Sequence, residues 1–487
     1  MGNLHSVVAS NRAALNEFQH TLSTTPSNDD LLMEQELITA YKKSVADEES
    51  FLKQKSRVQW LNLGDSNSKY FFNSCKQRWN SNKLLSITDD AGNVHDSHNV
   101  IANVAVSFFQ DLFGTRSDVS PFPEDLVVPR ISQSQSDLLS RPFLAADILP
   151  TLKSMSKHKA PGPDGFTVEF FLAAWCIIGP DVETAILHFF RTGHLPRIVN
   201  SVAVSLIPKT QNPSNMRDFR PISCCNVIYK CISKMIASRL KLVLHGLISP
   251  NQSAFLQGRS IGDNVLLVQA LCKDYHLLYG PKRCAIKVDL QKAFDSLNWD
   301  FIFAALHAMN FPSKFILWIK TCICSAMFSI NVNGSLEGYF RGGSGLRQGD
   351  PISPYLFVIA MEVLSACLAK ETSVDSFKYH WRTKEVKLTH LIFADDVFLF
   401  SNGDLSSVEA LHKGLSLFCS ISGLKPNWEK SKCFLAGVDN ATTSDILNLT
   451  GFQLGELPIS YLGLPLTSSK VSLEDCRPLI TKVSARI

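Results

Sequence analysis

Asp395 and Asp396 stand side by side in the run His390-Leu391-Ile392-Phe393-Ala394-Asp395-Asp396-Val397-Phe398-Leu399-Phe400. Two apolar, β-prone runs flank them, each short enough for a strand, and the pair falls where a tight hairpin turns. Adjacent carboxylates at a rigid tip repel one another and gain by sharing a cation. Mg²⁺ suits such a place because it takes carboxylate oxygens together with substrate phosphates. An isolated Asp-Asp pair is weak evidence, since most are surface turns. A second site strengthens it. Cys284-Ala285-Ile286-Lys287-Val288-Asp289-Leu290 is another short β-prone run, ending at Asp289, and Gln291 to Asp295 continues it as helix. If the two runs are strands of one sheet, Asp289 faces Asp395 and Asp396. Three carboxylates are then available to two metal ions for in-line displacement at phosphorus.

Other residue types fit the handling of a phosphorylated substrate. Gly342 to Pro354 (GGSGLRQGDPISP) is a Gly-rich loop leading into an apolar helix; glycines permit close backbone approach and prolines start helices. Lys209, in Leu206-Ile207-Pro208-Lys209, and Arg220, in Arg217-Asp218-Phe219-Arg220-Pro221-Ile222-Ser223, are cations suited to phosphate, unless they are solvated surface charge. Lys53, Lys55, Arg57, Trp60, Lys69, Tyr70, Phe71, Phe72, Lys76, Arg78 and Trp79 interleave basic and aromatic side chains. That mixture fits phosphate contact with base stacking, and equally an amphipathic helix with a charged face.

Asp289-Leu290-Gln291-Lys292-Ala293-Phe294-Asp295 resembles the first catalytic motif of reverse transcriptases, and Phe393-Ala394-Asp395-Asp396 their third, with Phe in place of the commoner Tyr. The wording is most similar to plant non-LTR retrotransposons of the LINE class, with motifs in the expected order over roughly residues 50 to 487. The resemblance implies an RNA-directed DNA polymerase. Asp289, Asp395 and Asp396 would hold two Mg²⁺ ions, with Mn²⁺ as a substitute. They would activate a primer 3′-hydroxyl and neutralise departing pyrophosphate. It casts Phe294 as an aromatic gate against a 2′-hydroxyl, and gives Asp295 no catalytic role. Gln348 and Gly349 become contacts to the incoming nucleotide, and Lys209 and Arg220 triphosphate ligands. In Gly423 to Lys432 it places Lys430 near the pyrophosphate, and in Gln252 to Ser260 it places Arg259 on a template phosphate. His158 to Gly165 looks like the fingers extension. Tyr461, Leu462 and Gly463 lie on a strand resembling the primer grip, near 461–466.

The implied partners are an RNA template, a DNA primer or nicked genomic target DNA, and deoxynucleoside triphosphates, with the nucleus as location and no membrane. The sequence says nothing of oligomeric state. The endonuclease, RNase H and zinc-knuckle segments of such elements have no counterpart in it, and residues 467–487 look like a thumb cut short. The alternative is therefore a catalytically inactive nucleic-acid-binding remnant. An RNA-dependent RNA polymerase shares the palm, but Phe294 and the Phe-Ala-Asp-Asp wording argue against it.

The elements that must position these residues predict an α+β fold. The resemblance implies a right hand with fingers from about 140, a palm over about 281–440 and an incomplete thumb, the palm being an antiparallel sheet backed by helices in a split βαβ arrangement. The reverse transcriptase domain is expected over 190–466, after a mainly helical extension over 1–137. Leu31 to Lys55 reads as helix, Asp89 to Asn93 as a hairpin tip, and the polar, Pro- and Ser-containing stretch 115–137 as a linker. Composition is globular: 45% hydrophobic and 19% charged in 487 residues, with net charge +4. That charge is too small to identify a nucleic-acid partner by itself. The 13 cysteines include no Cys-x-x-Cys, which reads as reduced thiols of an intracellular protein rather than a zinc site. Met1-Gly2-Asn3-Leu4-His5-Ser6 formally fits a myristoylation pattern. The most apolar helix candidate, Tyr355 to Leu368, is too short to span a membrane and carries Glu362.

Overall fold

The computed structural model describes residues 4–22, 26–56, 68–116, 118–157, 159–277 and 279–484. Arg57, Trp60 and His158 lie outside the described residues, as do the side chains of Lys69, Arg78 and Trp79 and the last three residues of the expected thumb segment.

The described chain forms two compact units. One comprises Met1–Ser97, Lys157–Lys159 and Ile207–Phe219. It contains the helices Leu4–Thr21, Asn28–Ser56 and Ser68–Asn82. The second of these is the helix expected over 31–55. Asp29 and Asp30 in its first turn and Lys53 and Lys55 in its last complement the helix dipole. The turn cluster at 89–93 joins β1 (Ile87–Thr88) to β2 (Val94–His95) as an antiparallel hairpin. Asp89 Oδ1 accepts the N–H groups of Ala91 and Asn93 at 3.0 and 2.8 Å, so one short carboxylate satisfies the turn.

The remaining strands, in chain order, are β3 (Ser201–Pro208), β4 (Phe219–Cys225), β5 (Arg283–Asp289), β6 (Met327–Val332), β7 (Ser335–Arg341), β8 (His390–Phe393), β9 (Asp396–Ser401), β10 (Lys432–Ala436), β11 (Gln453–Leu454), β12 (Ile459–Tyr461) and β13 (Leu464–Leu466). One sheet has the order β11-β10-β5-β9-β8 and is antiparallel except for the β10–β11 pair. A second has the order β4-β3-β6-β7, with β3 parallel to β6. Helices and mixed sheets together make an α+β architecture, as expected. The strands β6 and β7 lie within the sequence span expected of the palm, yet they join β3 and β4 rather than the carboxylate sheet.

Strand alternation sorts the five-stranded sheet into two faces. Ala285, Leu391, Phe398 and Phe400 point to a core shared with Val268, Cys272, Tyr461 and Leu466. Helices Ser353–Thr372 and Leu405–Ser422 pack against each other. A Cβ at Gly414 would stand 3.0 Å from the Leu368 Cα, so its absence allows the close crossing. The 353–372 helix has 20 residues and is apolar enough to cross a membrane, which corrects the shorter span read from sequence. Most of it is buried in the protein, so its apolarity builds core.

Two boundary expectations are corrected. Residues 98–137 belong to the larger unit, not to the N-terminal extension. The helix His98–Gly114 packs on β6 and β7 through a buried face that includes Phe109 and Phe113. Stretch 115–137 is no free linker. Leu126, Val128 and Ile131 are buried. Ser120 N–H donates to the Ser420 carbonyl at 2.9 Å, and Ile131 N–H to that of Met309 at 3.1 Å. Its polar residues hid three apolar anchors.

Candidate active site

Asp289 ends β5 and Asp396 begins β9, and the antiparallel register places them directly opposite each other. Cross-strand partners share a face, so the requirement that these two carboxylates meet on one side is satisfied. Ala394 and Asp395 form the two-residue connection from β8 to β9. Ala394 lies at φ 55°, in the left-handed region. A positive φ at the first central position matches the twist of a hairpin, normally with Gly there.

The backbone of Asp289 is fixed by the loop after the 405–422 helix. Asp289 N–H donates to Ser431 Oγ at 3.1 Å, and Asn427 N–H donates to the Asp289 carbonyl at 2.7 Å. Gln291 N–H donates to the Lys425 carbonyl at 2.9 Å. Lys430 sits in this loop, exposed, with its N–H on Asn427 Oδ1 at 3.3 Å.

Burial and mutual repulsion both act on the carboxylates of this cluster. Burial raises the Asp395 carboxyl above its ordinary range, the Asp289 charge adds to this, and Arg220 opposes it. Burial likewise raises Asp396; Lys287 opposes it, and Asp395 and Asp289 reinforce it. Among the described residues no three such side chains already stand in one coordination shell. The donor set, all carboxylate oxygen at one end of the inner strands β5 and β9 and mutually repelling, fits a hard divalent cation. Asp289, Asp395 and Asp396 are the residues that would hold it.

Phe294 lies on the short helix Ala293–Ser296, half-buried, stacked on the wholly buried Phe357 at 4.3 Å between centroids and 14° between planes. Such a backing leaves the ring little freedom to yield. The Gly-rich loop is stitched to the same helix. Gly345 N–H donates to the Leu297 carbonyl at 2.8 Å, and Trp299 Nε1 to the Gly345 carbonyl at 2.7 Å. Gln348 Nε2 reaches the two Asp295 carboxylate oxygens at 3.3 and 3.4 Å, so Asp295 holds the glutamine expected at the nucleotide. The Gln348 carbonyl accepts Ser223 N–H from β4 at 2.8 Å. Gly349 takes φ 108°, and a Cβ there would lie 3.0 Å from the Ser223 oxygen.

Sequence reasoning missed the network beneath this loop. Buried Arg347 pairs with buried Asp350 at 2.8 Å and donates to Asn200 Oδ1 at 2.6 Å and the Cys322 carbonyl at 3.0 Å. Asp350 also accepts from Tyr229 at 2.5 Å and from Ser233. Both charged residues were in view within the motif; Asn200, Tyr229 and Ser233 stand more than a hundred positions upstream and gave no local signal.

Other expected residues fall in different settings. Arg220 is exposed on β4 with its charge felt at Asp395. Lys209 belongs to the smaller unit, where its Nζ donates to the Arg217 carbonyl at 2.7 Å. The Arg259 guanidinium donates to the carbonyls of Ile248 (2.7 Å), Ser249 and Gln252, bolting its own loop. A template phosphate would have to compete with those bonds. The primer-grip segment is a hairpin, β12 and β13 joined by Leu462 and Gly463 at φ 49° and 85°, and not one strand. Tyr461 is buried against Phe398, its hydroxyl donating to Asn264 Oδ1 at 3.1 Å, so its side chain faces the core and not a primer. Gly162, in the expected fingers extension, packs so tightly that a Cβ would overlap Asn226.

Residues 207–466, more than half of the chain, match the family described as Reverse transcriptase (RNA-dependent DNA polymerase). The chain is 29% identical to the Transposon TX1 uncharacterized 149 kDa protein of Xenopus laevis over 87% of its own length and 32% of that protein's. It is 29% identical to the Retrovirus-related Pol polyprotein from type-2 retrotransposable element R2DM of Drosophila melanogaster, covering 65% of the chain and 29% of the relative. The R2 polyprotein of Nasonia vitripennis is 28% identical over 57% of the chain and 27% of its own length. The chain thus spans about a third of the length of these relatives. With Asp289, Asp395 and Asp396 gathered at one end of β5 and β9 and enclosed by the matched span, the chain belongs to the reverse transcriptase (RNA-dependent DNA polymerase) family.

Proposed function

We propose that the chain is the RNA-directed DNA polymerase unit of a non-LTR retrotransposon of the plant LINE class, extending a DNA primer on an RNA template. The observation that carries this is the cross-strand register of Asp289 and Asp396 with Asp395 at the adjoining turn. Two Mg²⁺ ions held there would supply Lewis acidity at the primer 3′-hydroxyl and the triphosphate. The chain's own part is positioning. Arg220 lends positive charge beside Asp395 for a triphosphate. Gln348, held by Asp295, meets the incoming nucleotide. Phe294, braced by Phe357, presents a ring edge where a ribose 2′-hydroxyl would lie. Template RNA, a primer or nicked target DNA and deoxynucleoside triphosphates are the partners, and the nucleus the site of action, all on family resemblance.

The test is extension of a DNA primer on an RNA template with Mg²⁺, comparing the chain with its Asp395→Ala/Asp396→Ala variant. Extension by the parent and none by the variant supports the reading. Extension that survives the double substitution removes the catalytic assignment, and salt-sensitive RNA binding with no synthesis by the parent supports a binding-only protein.

A further inference from the structure

We propose that Gln252 is a positioning residue for the catalytic turn, its side-chain oxygen holding the Ala394 amide and so fixing the direction of Asp395 and Asp396. Gln252 is fully buried, and its Oε1 accepts two backbone N–H groups, from Ala254 at 2.9 Å and Ala394 at 3.2 Å. The two donors force the amide's orientation, because its NH₂ end would repel both. Ala394 is the residue at φ 55°, a conformation that a side chain other than glycine enters at a cost. The Gln252 hydrogen bond to the Ala394 amide offsets part of that cost.

The segment carrying Gln252 is itself rigid. It runs beside β8 as an extra edge: Ile392 N–H donates to the Asn251 carbonyl at 2.8 Å and Ser253 N–H to the Ile392 carbonyl at 3.0 Å. Glu362 Oε2, on the buried 353–372 helix, accepts from both Ser249 N–H and Ser249 Oγ at 3.1 Å. The Arg259 guanidinium closes the loop from the other side. A continuous set of hydrogen bonds, partly buried, therefore runs from the core helix to the segment that carries Gln252. Its Nε2 has no hydrogen-bond partner among the described residues. An apolar side chain of this size would bury without that cost, so the amide contributes through Oε1. Gln252 acts through Ala394 and touches no reacting atom.

The inference rests on the polymerase reading for its catalytic consequence, and hydrogen exchange tests it independently of activity. Gln252→Met keeps the volume and removes the acceptor; Gln252→Glu keeps an acceptor oxygen. In Gln252→Met, amide exchange of a peptide covering residues 392–397 is expected to accelerate about tenfold, the equivalent of one lost hydrogen bond. Exchange in the 405–422 helix should not change. The kcat for primer extension should fall by about tenfold or more with KM for the nucleotide little altered, because geometry and not binding is lost. Gln252→Glu should recover both the protection and most of kcat. Unchanged exchange at the turn in Gln252→Met, or equal acceleration in the Met and Glu variants, overturns the proposal. Should Gln252→Met fail to fold, the comparison is Gln252→Glu with Gln252→Asn, whose side chain is one methylene short of Ala394; equal exchange in these two overturns it as well. A parent without extension activity would remove the polymerase reading and leave the exchange result to decide the role of Gln252.

Discussion

The carboxylates of Asp395 and Asp396 are held against their own electrostatics. Burial and neighbouring negative charge raise both, so the folded state penalises their ionised forms. The penalty is absent while the folded and unfolded chains are both protonated, builds from the ordinary carboxylate range up to the raised folded values, and is constant above them. Asp396→Asn is therefore expected to raise the melting temperature at pH 7 without divalent cations while abolishing extension. Added Mg²⁺ should stabilise the parent more than the variant. A variant that melts lower than the parent in chelator would contradict the cation-site assignment. Glu362 offers a second titration: burial lifts its carboxyl to about 7 while Ser249 and Arg259 pull it down. Its cost is nil below its unfolded value, builds towards pH 7 and is constant above. Glu362→Gln keeps an acceptor for Ser249 and should gain about 1–3 kcal/mol over the parent at pH 8, a gain that disappears near pH 4.5. Urea unfolding at the two pH values measures it. Phe294→Val, which shrinks the braced ring, should raise ribonucleotide incorporation relative to deoxynucleotide by at least about tenfold, or roughly 1.4 kcal/mol of discrimination. An unchanged ratio would leave Phe294 as core alone.

At the scale of elements, the Gly-rich loop shows which glycines the fold requires. A Cβ on Gly345 would lie 2.4 Å from the Asp295 carbonyl oxygen at φ +78°, whereas Gly463, at φ +85°, has nothing within 4 Å. Gly463→Ala should cost about 1–2 kcal/mol from backbone conformation alone. Gly345→Ala should cost more, and should also raise KM for the nucleotide, because the loop cannot move without moving Gln348. Denaturant midpoints and nucleotide titrations separate the two; equal costs would mean that the contact to Asp295 is not a constraint. The strands and hairpin that carry Asp289, Asp395 and Asp396 were legible in sequence because their patterns are local. Asp289 and Asp396 each sit at the end of a short apolar run, and the hairpin at Ala394-Asp395 fixes half of the register by itself. What was not legible is what depends on distant partners. The helix His98–Gly114 looked like part of an extension because the strands it covers, β6 and β7, come more than two hundred residues later. Tyr461 looked like a primer contact because nothing nearby shows that Phe398 and Asn264 enclose it. Arg259 looked like a free cation because the carbonyls it satisfies are exposed only by the path of the loop.

At the scale of the whole molecule, a net charge of +4 on 487 residues gives no general attraction for nucleic acid; any grip must come from local cations set against local carboxylates. The larger unit holds Asp289, Asp395 and Asp396 together with Arg220, while Lys209 belongs to the smaller. Phosphate binding releases counterions, so the affinity for an RNA–DNA primer-template should fall linearly in a double-logarithmic salt plot. The slope is near −0.9 per phosphate contact on B-form duplex, a rough guide to the count here. Without divalent cations the site carboxylates repel the primer end and the triphosphate. Asp395→Ala/Asp396→Ala should therefore bind primer-template as tightly as the parent or tighter in chelator, with an unchanged salt slope, since it removes negative charge and no phosphate contact. With Mg²⁺ the parent should gain affinity for the nucleotide and the variant should not. Binding and chemistry would then separate on one pair of proteins. If the variant instead lost primer-template affinity and salt dependence together, the two aspartates would be supporting the binding surface, and the metal-site account of them would fail.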